Sequence, residues 1–89
     1  MEIINNGLED IASAFVVVNP GTREEEIYLI NEVAASPSGA WFYSDMMLFR
    51  GTPTQVTFNL KNAPGQRINK VKLFGNVVRS EPGRFEIVF

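Results

Sequence analysis

Three Pro-Gly pairs, in Asn19-Pro20-Gly21, Ala63-Pro64-Gly65 and Glu81-Pro82-Gly83, punctuate the chain between runs in which apolar and polar residues alternate. Proline presets φ at the first corner of a turn and glycine supplies the positive φ of the next, so each pair reverses the chain. The flanking runs are short and rich in Val, Ile, Phe and Tyr, which suit a pleated, half-buried surface. Reversals between such runs specify antiparallel β-structure. With 89 residues in all, the expectation is one domain spanning 1–89 around one core.

Composition narrows the chemistry. Apolar residues make up 45% of the chain, too many for a disordered polymer. There is no cysteine and no histidine, which removes disulfides, thiolate nucleophiles, imidazole bases and the usual zinc and copper ligand sets. The remaining carboxylates, serines, lysines and tyrosines show no catalytic spacing, so the expectation is a non-enzyme that needs no cofactor or metal. The apolar run Ala14-Phe15-Val16-Val17-Val18 falls far short of the roughly 20 residues of a membrane span. Met1-Glu2-Ile3-Ile4-Asn5-Asn6 lacks the basic start of a secretory signal, so a cytoplasmic location with no membrane partner is expected.

Along the chain, Leu8, Ile11, Ala12 and Phe15 stand at helical spacing, and Asn6 with Glu9 has the form of a capping box; a short helix over 6–15 is predicted. Six strands are then expected. The first covers Phe15 to Asn19. The second covers Glu26 to Val33, with Ile27, Leu29 and Val33 inward and Tyr28 and Ile30 outward. Ala40 to Ser44 is the third, and Asp45 to Arg50 follows as an apolar crossover that plugs one end of the core. Gln55 to Leu60 turns Val56, Phe58 and Leu60 inward, and Ile68 to Ser80 carries Val71, Leu73 and Val77 on one face with Gly75 between them. Arg84 to Phe89 closes the list with Phe85, Ile87 and Phe89 inward. A glycine inside a long strand lets a sheet turn a corner, which points to a small six-stranded antiparallel β-barrel.

Charge is lopsided. Residues 1–45 hold eight acids against Arg23, a net −7, while residues 46–89 hold seven bases against Glu81 and Glu86, a net +5. Two readings follow: oppositely charged strands pair across the sheet, or Lys70, Lys72, Arg79 and Arg84 form a patch for an anionic ligand. Glu24-Glu25-Glu26 reads as a solvated hairpin shoulder, since adjacent strand residues alternate faces and make a poor metal site.

Ser36-Pro37-Ser38-Gly39-Ala40, the Gly51-Thr52 restart, and Lys72-Leu73-Phe74-Gly75-Asn76-Val77-Val78-Arg79 through Phe85-Glu86-Ile87-Val88-Phe89 together resemble a PilZ domain, over about residues 26 to 89. PilZ domains are bacterial six-stranded barrels that serve as cyclic di-GMP receptors. The resemblance implies a ligand site of two elements, an Arg-x-x-x-Arg ahead of the first strand and an Asp/Asn-x-Ser-x-x-Gly after the second. Ser36 and Gly39 match the serine and glycine of the second element, whereas Ala34 stands where its acid or amide belongs. The first element is missing, because no base precedes Arg23. Without the two guanidiniums, charge-assisted hydrogen bonds worth about 1.5–3 kcal/mol each are lost. The expectation is a degenerate PilZ-like barrel that does not hold cyclic di-GMP in the family's usual way. Without the resemblance, Ser36 to Gly39 reads simply as a tight connection between strands.

Strand parity sends Trp41 and Tyr43 out from the third strand, and Phe74 and Val78 out from the fifth. Outward aromatics need a cover, which makes Trp41, Tyr43 and Phe74 a candidate surface for a protein partner or a second copy. A regulatory or adaptor role through protein binding is therefore expected. The alternative is a nucleotide- or nucleic-acid-binding barrel that uses the basic C-terminal half with Trp41 or Tyr43 as a stacking platform. A net charge of −2 argues against nucleic acid.

Overall fold

A computed structural model describes residues 11–60 and 70–89. Among these residues, seven antiparallel strands form one sheet in the order β2-β1-β5-β6-β7-β4-β3. They are β1 (Ile11–Val18), β2 (Glu26–Ile30), β3 (Val33–Ala35), β4 (Gly39–Tyr43), β5 (Pro53–Leu60), β6 (Lys70–Glu81) and β7 (Arg84–Val88). The terminal strands β2 and β3 are joined by Asn31-Glu32 alone, and β3 comes into contact with β1. The sheet thus curls back on itself as a small all-β barrel.

Two of the three expected turns lie among the described residues, and both reverse the chain as read. Gly83 between β6 and β7 has φ +87°, a conformation that only glycine adopts without strain. The Asn19-Pro20-Gly21 turn is bonded by the Thr22 amide to the Asn19 carbonyl at 3.2 Å. Ala63-Pro64-Gly65 lies outside the described residues, as do residues 6–10 of the expected helix.

The second half of that helix is corrected. Ile11 to Phe15 is strand, paired with both β2 and β5. Val16, Val17 and Val18 are β-branched and stiff at χ1, and a ladder with a partner on each side outweighs a spacing of four apolar residues. Phe15 consequently points outward and is exposed, while Ala14, Val16 and Val18 enter the core.

The expected second strand is two strands; Val33 packs against the core as expected, but the parity of Ile27 to Ile30 is inverted. Ile30 is buried, Tyr28 packs against the core, and Ile27 and Leu29 are exposed at 62% and 55%. Four successive apolar residues, Ile27 to Ile30, carry no alternation from which a face could be read. Register decides the matter: Ile30 lies opposite buried Ala14, and Leu29 opposite outward Phe15.

Elsewhere the alternation holds. Val56 and Phe58 of β5, Phe42 of β4, Val77 of β6, and Phe85 and Ile87 of β7 are all buried, and Phe89 packs against them. Phe42 lies 5.4 Å from its neighbour Phe85 and 6.0 Å from Phe58 on the far side of the sheet order, so the rings meet across the interior. Phe89 sets its edge on Phe58 at 5.9 Å.

Strand β6 makes the corner. Its first half, through Asn76, pairs with β5, and from Asn76 onward it pairs with β7. Gly75 sits at this hand-over, where a Cβ would come within 2.5 Å of the Val88 carbonyl oxygen and 2.9 Å of the Phe89 ring. The glycine is there because the second partner approaches so closely. The bulge that bends the strand falls at Val78, between Val77 and Arg79.

Candidate functional site

Ser36 and Gly39, the residues of the resemblance, bracket a turn. Between β3 and β4 the Ser36 amide donates to the Gly39 carbonyl at 3.2 Å. Ser36 is buried, and its hydroxyl has no hydrogen-bond partner among the described residues. Gly39 lies directly against the β7 backbone, so a side chain there would run into the Ile87 carbonyl. Close strand packing accounts for Gly39.

The four candidate bases do not form one patch. Lys70 and Lys72 project outward from the start of β6, and Arg79 lies beyond the corner and bulge, nine residues or about 30 Å of strand from Lys70. Nor, among the described residues, do the two halves of the chain neutralise each other across the ladder. Lys72 faces Thr57 and Lys70 faces Asn59, while Glu26 faces Val18. Among the described residues the cross-strand acid–base pairs are Arg79 with Glu86 and Glu81 with Arg84, all within the C-terminal half. Among the described residues, no acid of the first half stands opposite a base of the second across the ladder.

Arg84 is committed locally. Its Nε donates to Glu81 Oε1 at 2.6 Å, and its guanidinium lies 3.9 Å over the Trp41 ring. The Glu81 carboxylate, with Tyr43 as a lesser contributor, holds the guanidinium protonated even more firmly than usual. Trp41 faces outward as expected but is half-buried, because Arg84 lies on it and Arg79 stands 5.9 Å from its centre. Tyr43 beside it is exposed.

Phe74 does not belong to this group. Five residues before Arg79, it is 69% exposed and shares an outer row with Gln55, Val17 and Ile27. The next row is Lys72, Thr57, Phe15 and Leu29. Sequence reasoning missed most of this face, because it needed the inverted parity of β2 and the strand character of Phe15.

It also missed what flanks the segment between β4 and β5. Met46 and Leu48 pack against the core, the expected plug, but Met47 and Phe49 are 66% and 89% exposed. The segment is fastened to the bulged end of β6. The Gly51 amide donates to the Val77 carbonyl at 2.6 Å, and the Leu48 amide to Ser80 Oγ at 3.2 Å. A cleft of about 430 Å³ on one side is lined by Met47, Phe49, Arg50, Val78 and Arg79. On the other side a second cleft, about 280 Å³, is lined by Glu24, Glu26, Tyr28, Met47 and Phe49.

No group of three or more metal-ligating side chains converges among the described residues. No helix among them is long and apolar enough to cross a membrane. No family model, no curated protein and no solved structure matches the chain.

Proposed function

We propose that this barrel is a non-enzymatic, PilZ-like regulatory or adaptor domain that works by binding protein, with cyclic di-GMP recognition lost or altered. The observation that carries the reading is the outer face of β1 and β2, where Phe15, Ile27 and Leu29 stand exposed side by side. Contiguous apolar surface of this kind marks interaction sites on soluble proteins. The packing of Gly39 against the β7 backbone, with Ala34 in place of an acid or amide, supports the loss of the usual ligand mode. The reading requires no cofactor and places the domain in the cytoplasm.

Proximity labelling in the source cells tests it, comparing the wild type with an Ile27→Asp/Leu29→Asp variant of unchanged melting temperature. Neighbours labelled by the wild type and lost by the variant are expected. Identical neighbour sets would refute the face. Calorimetric titration with cyclic di-GMP is expected to show no saturable binding in the low micromolar range.

One observation favours a second reading. Lys70, Lys72 and Phe74 alternate outward along β6, with Phe15 on the same face, an interleaving of bases and aromatics suited to single-stranded nucleic acid. Fluorescence anisotropy with labelled single strands decides between them. Affinity that falls steeply with salt would give the face to nucleic acid.

A further inference from the structure

The segment between β4 and β5 is a tongue with a basic cleft on one side and an acidic cleft on the other. Arg50 and Arg79 line the first; no carboxylate stands within ion-pair distance of either among the described residues, and Glu86 opposite Arg79 offsets only part of the charge. Glu24 and Glu26 line the second, on a turn whose single base is Arg23. Glu25 is already engaged, its carboxylate accepting from the Gly21 amide at 2.8 Å. Glu26 accepts from the Tyr28 hydroxyl, a neutral donor that leaves its charge uncompensated, and the Glu24 carboxylate has no partner among the described residues. Between the clefts, Met47 and Phe49 project into solvent although the residues around them are fastened to β6.

We infer that the occupant of these clefts is a second copy of this chain. A two-fold arrangement sets tongue beside tongue. Glu24 and Glu26 of each copy then face Arg50 and Arg79 of the other, and the Met47 and Phe49 side chains of both copies cover one another. Such an interface is isologous, so each charge contact occurs twice. The apolar centre with a charged rim is the usual anatomy of a specific interface. Glu24 and Glu26 of the acidic first half thereby meet Arg50 and Arg79 of the basic second half, a pairing that the ladder among the described residues of one copy does not make. This contact is separate from the β1–β2 face and does not rest on the role proposed for it.

Sedimentation of the intact chain, followed from about 1 μM to 1 mM, tests the inference over the range in which interfaces of this kind associate. Dimer formation is expected, weakening as salt screens the pairs. Arg50→Glu/Arg79→Glu and Glu24→Lys/Glu26→Lys should each weaken self-association by about tenfold or more. Mixed together, the two variants should form a heterodimer of near wild-type affinity, since only the mixed pair restores opposite charges at both contacts. Phe49→Ser removes an exposed ring without touching the core and should also yield monomer, while Ile27→Asp/Leu29→Asp should leave the dimer intact. A wild type that stays monomeric to 1 mM would overturn the inference. So would a dimer indifferent to charge reversal, or reversed variants that fail to pair on mixing.

Discussion

Gly39 shows how a single missing side chain sets the distance between two strands. A Cβ there would meet the Ile87 carbonyl, a backbone atom of a central ladder that has nowhere to retreat. Gly39→Ala should therefore destabilise the fold by about 1–3 kcal/mol, the usual cost of overpacking, read as a lower denaturation midpoint at an unchanged slope. Tyr28 offers a different single-residue test. Its hydroxyl donates to the Glu26 carboxylate, and that bond, with smaller help from desolvation and the nearby charge, raises the phenol's pKa above the ordinary tyrosine value. The folded state thus favours the protonated phenol. Stability from this bond is present below about pH 10, the unfolded value, and is lost as the pH climbs through the raised one. In an ultraviolet titration the phenolate signal of Tyr28, identified by its loss in Tyr28→Phe, should come in above the ordinary tyrosine range.

At the scale of elements, the tongue depends on the strand it leans against. The bulge at Val78 brings Ser80 Oγ under the Leu48 amide, so Ser80→Ala leaves that amide without its partner. The expected cost is about 1 kcal/mol, with faster hydrogen exchange at Leu48 and little change in β1. Trp41 reports the neighbouring element pair. It is the only tryptophan, and Arg84→Ala would strip its indole of the guanidinium at 3.9 Å, so its emission should shift to longer wavelength as water reaches the ring. How far these elements could be read from sequence depended on contrast between faces. In β5 and β7, polar Thr57, Asn59 and Glu86 interrupt Val56, Phe58, Phe85 and Ile87, and both strands were legible. In β2 and the start of β1 both faces carry apolar residues, so period and parity had to come from partners that a linear pattern does not contain. The tongue's clefts were not legible at all, because they depend on a bulge and on bonds spanning 26 to 32 residues.

Across the whole molecule, the rings of Phe42, Phe58, Phe85 and Phe89 tie β4, β5 and β7 together through the interior. Phe42, buried completely and touching two other rings, is central to this stack; Phe42→Ala should cost about 3–5 kcal/mol. The two ends of the sheet order are less well tied. Asn31-Glu32 connects them covalently, and the Tyr43 amide reaches the Glu32 carbonyl at 3.1 Å, but no ladder joins β2 to β3. The cylinder therefore has a seam, and it is along a seam that such a wall breathes. Amides of β2 and β3 should exchange through local opening, while those of β5 and β6, flanked by strands on both sides, should wait for global unfolding. The protein's slowest and fastest protected amides would then map, strand by strand, how far each lies from that single line of weakness.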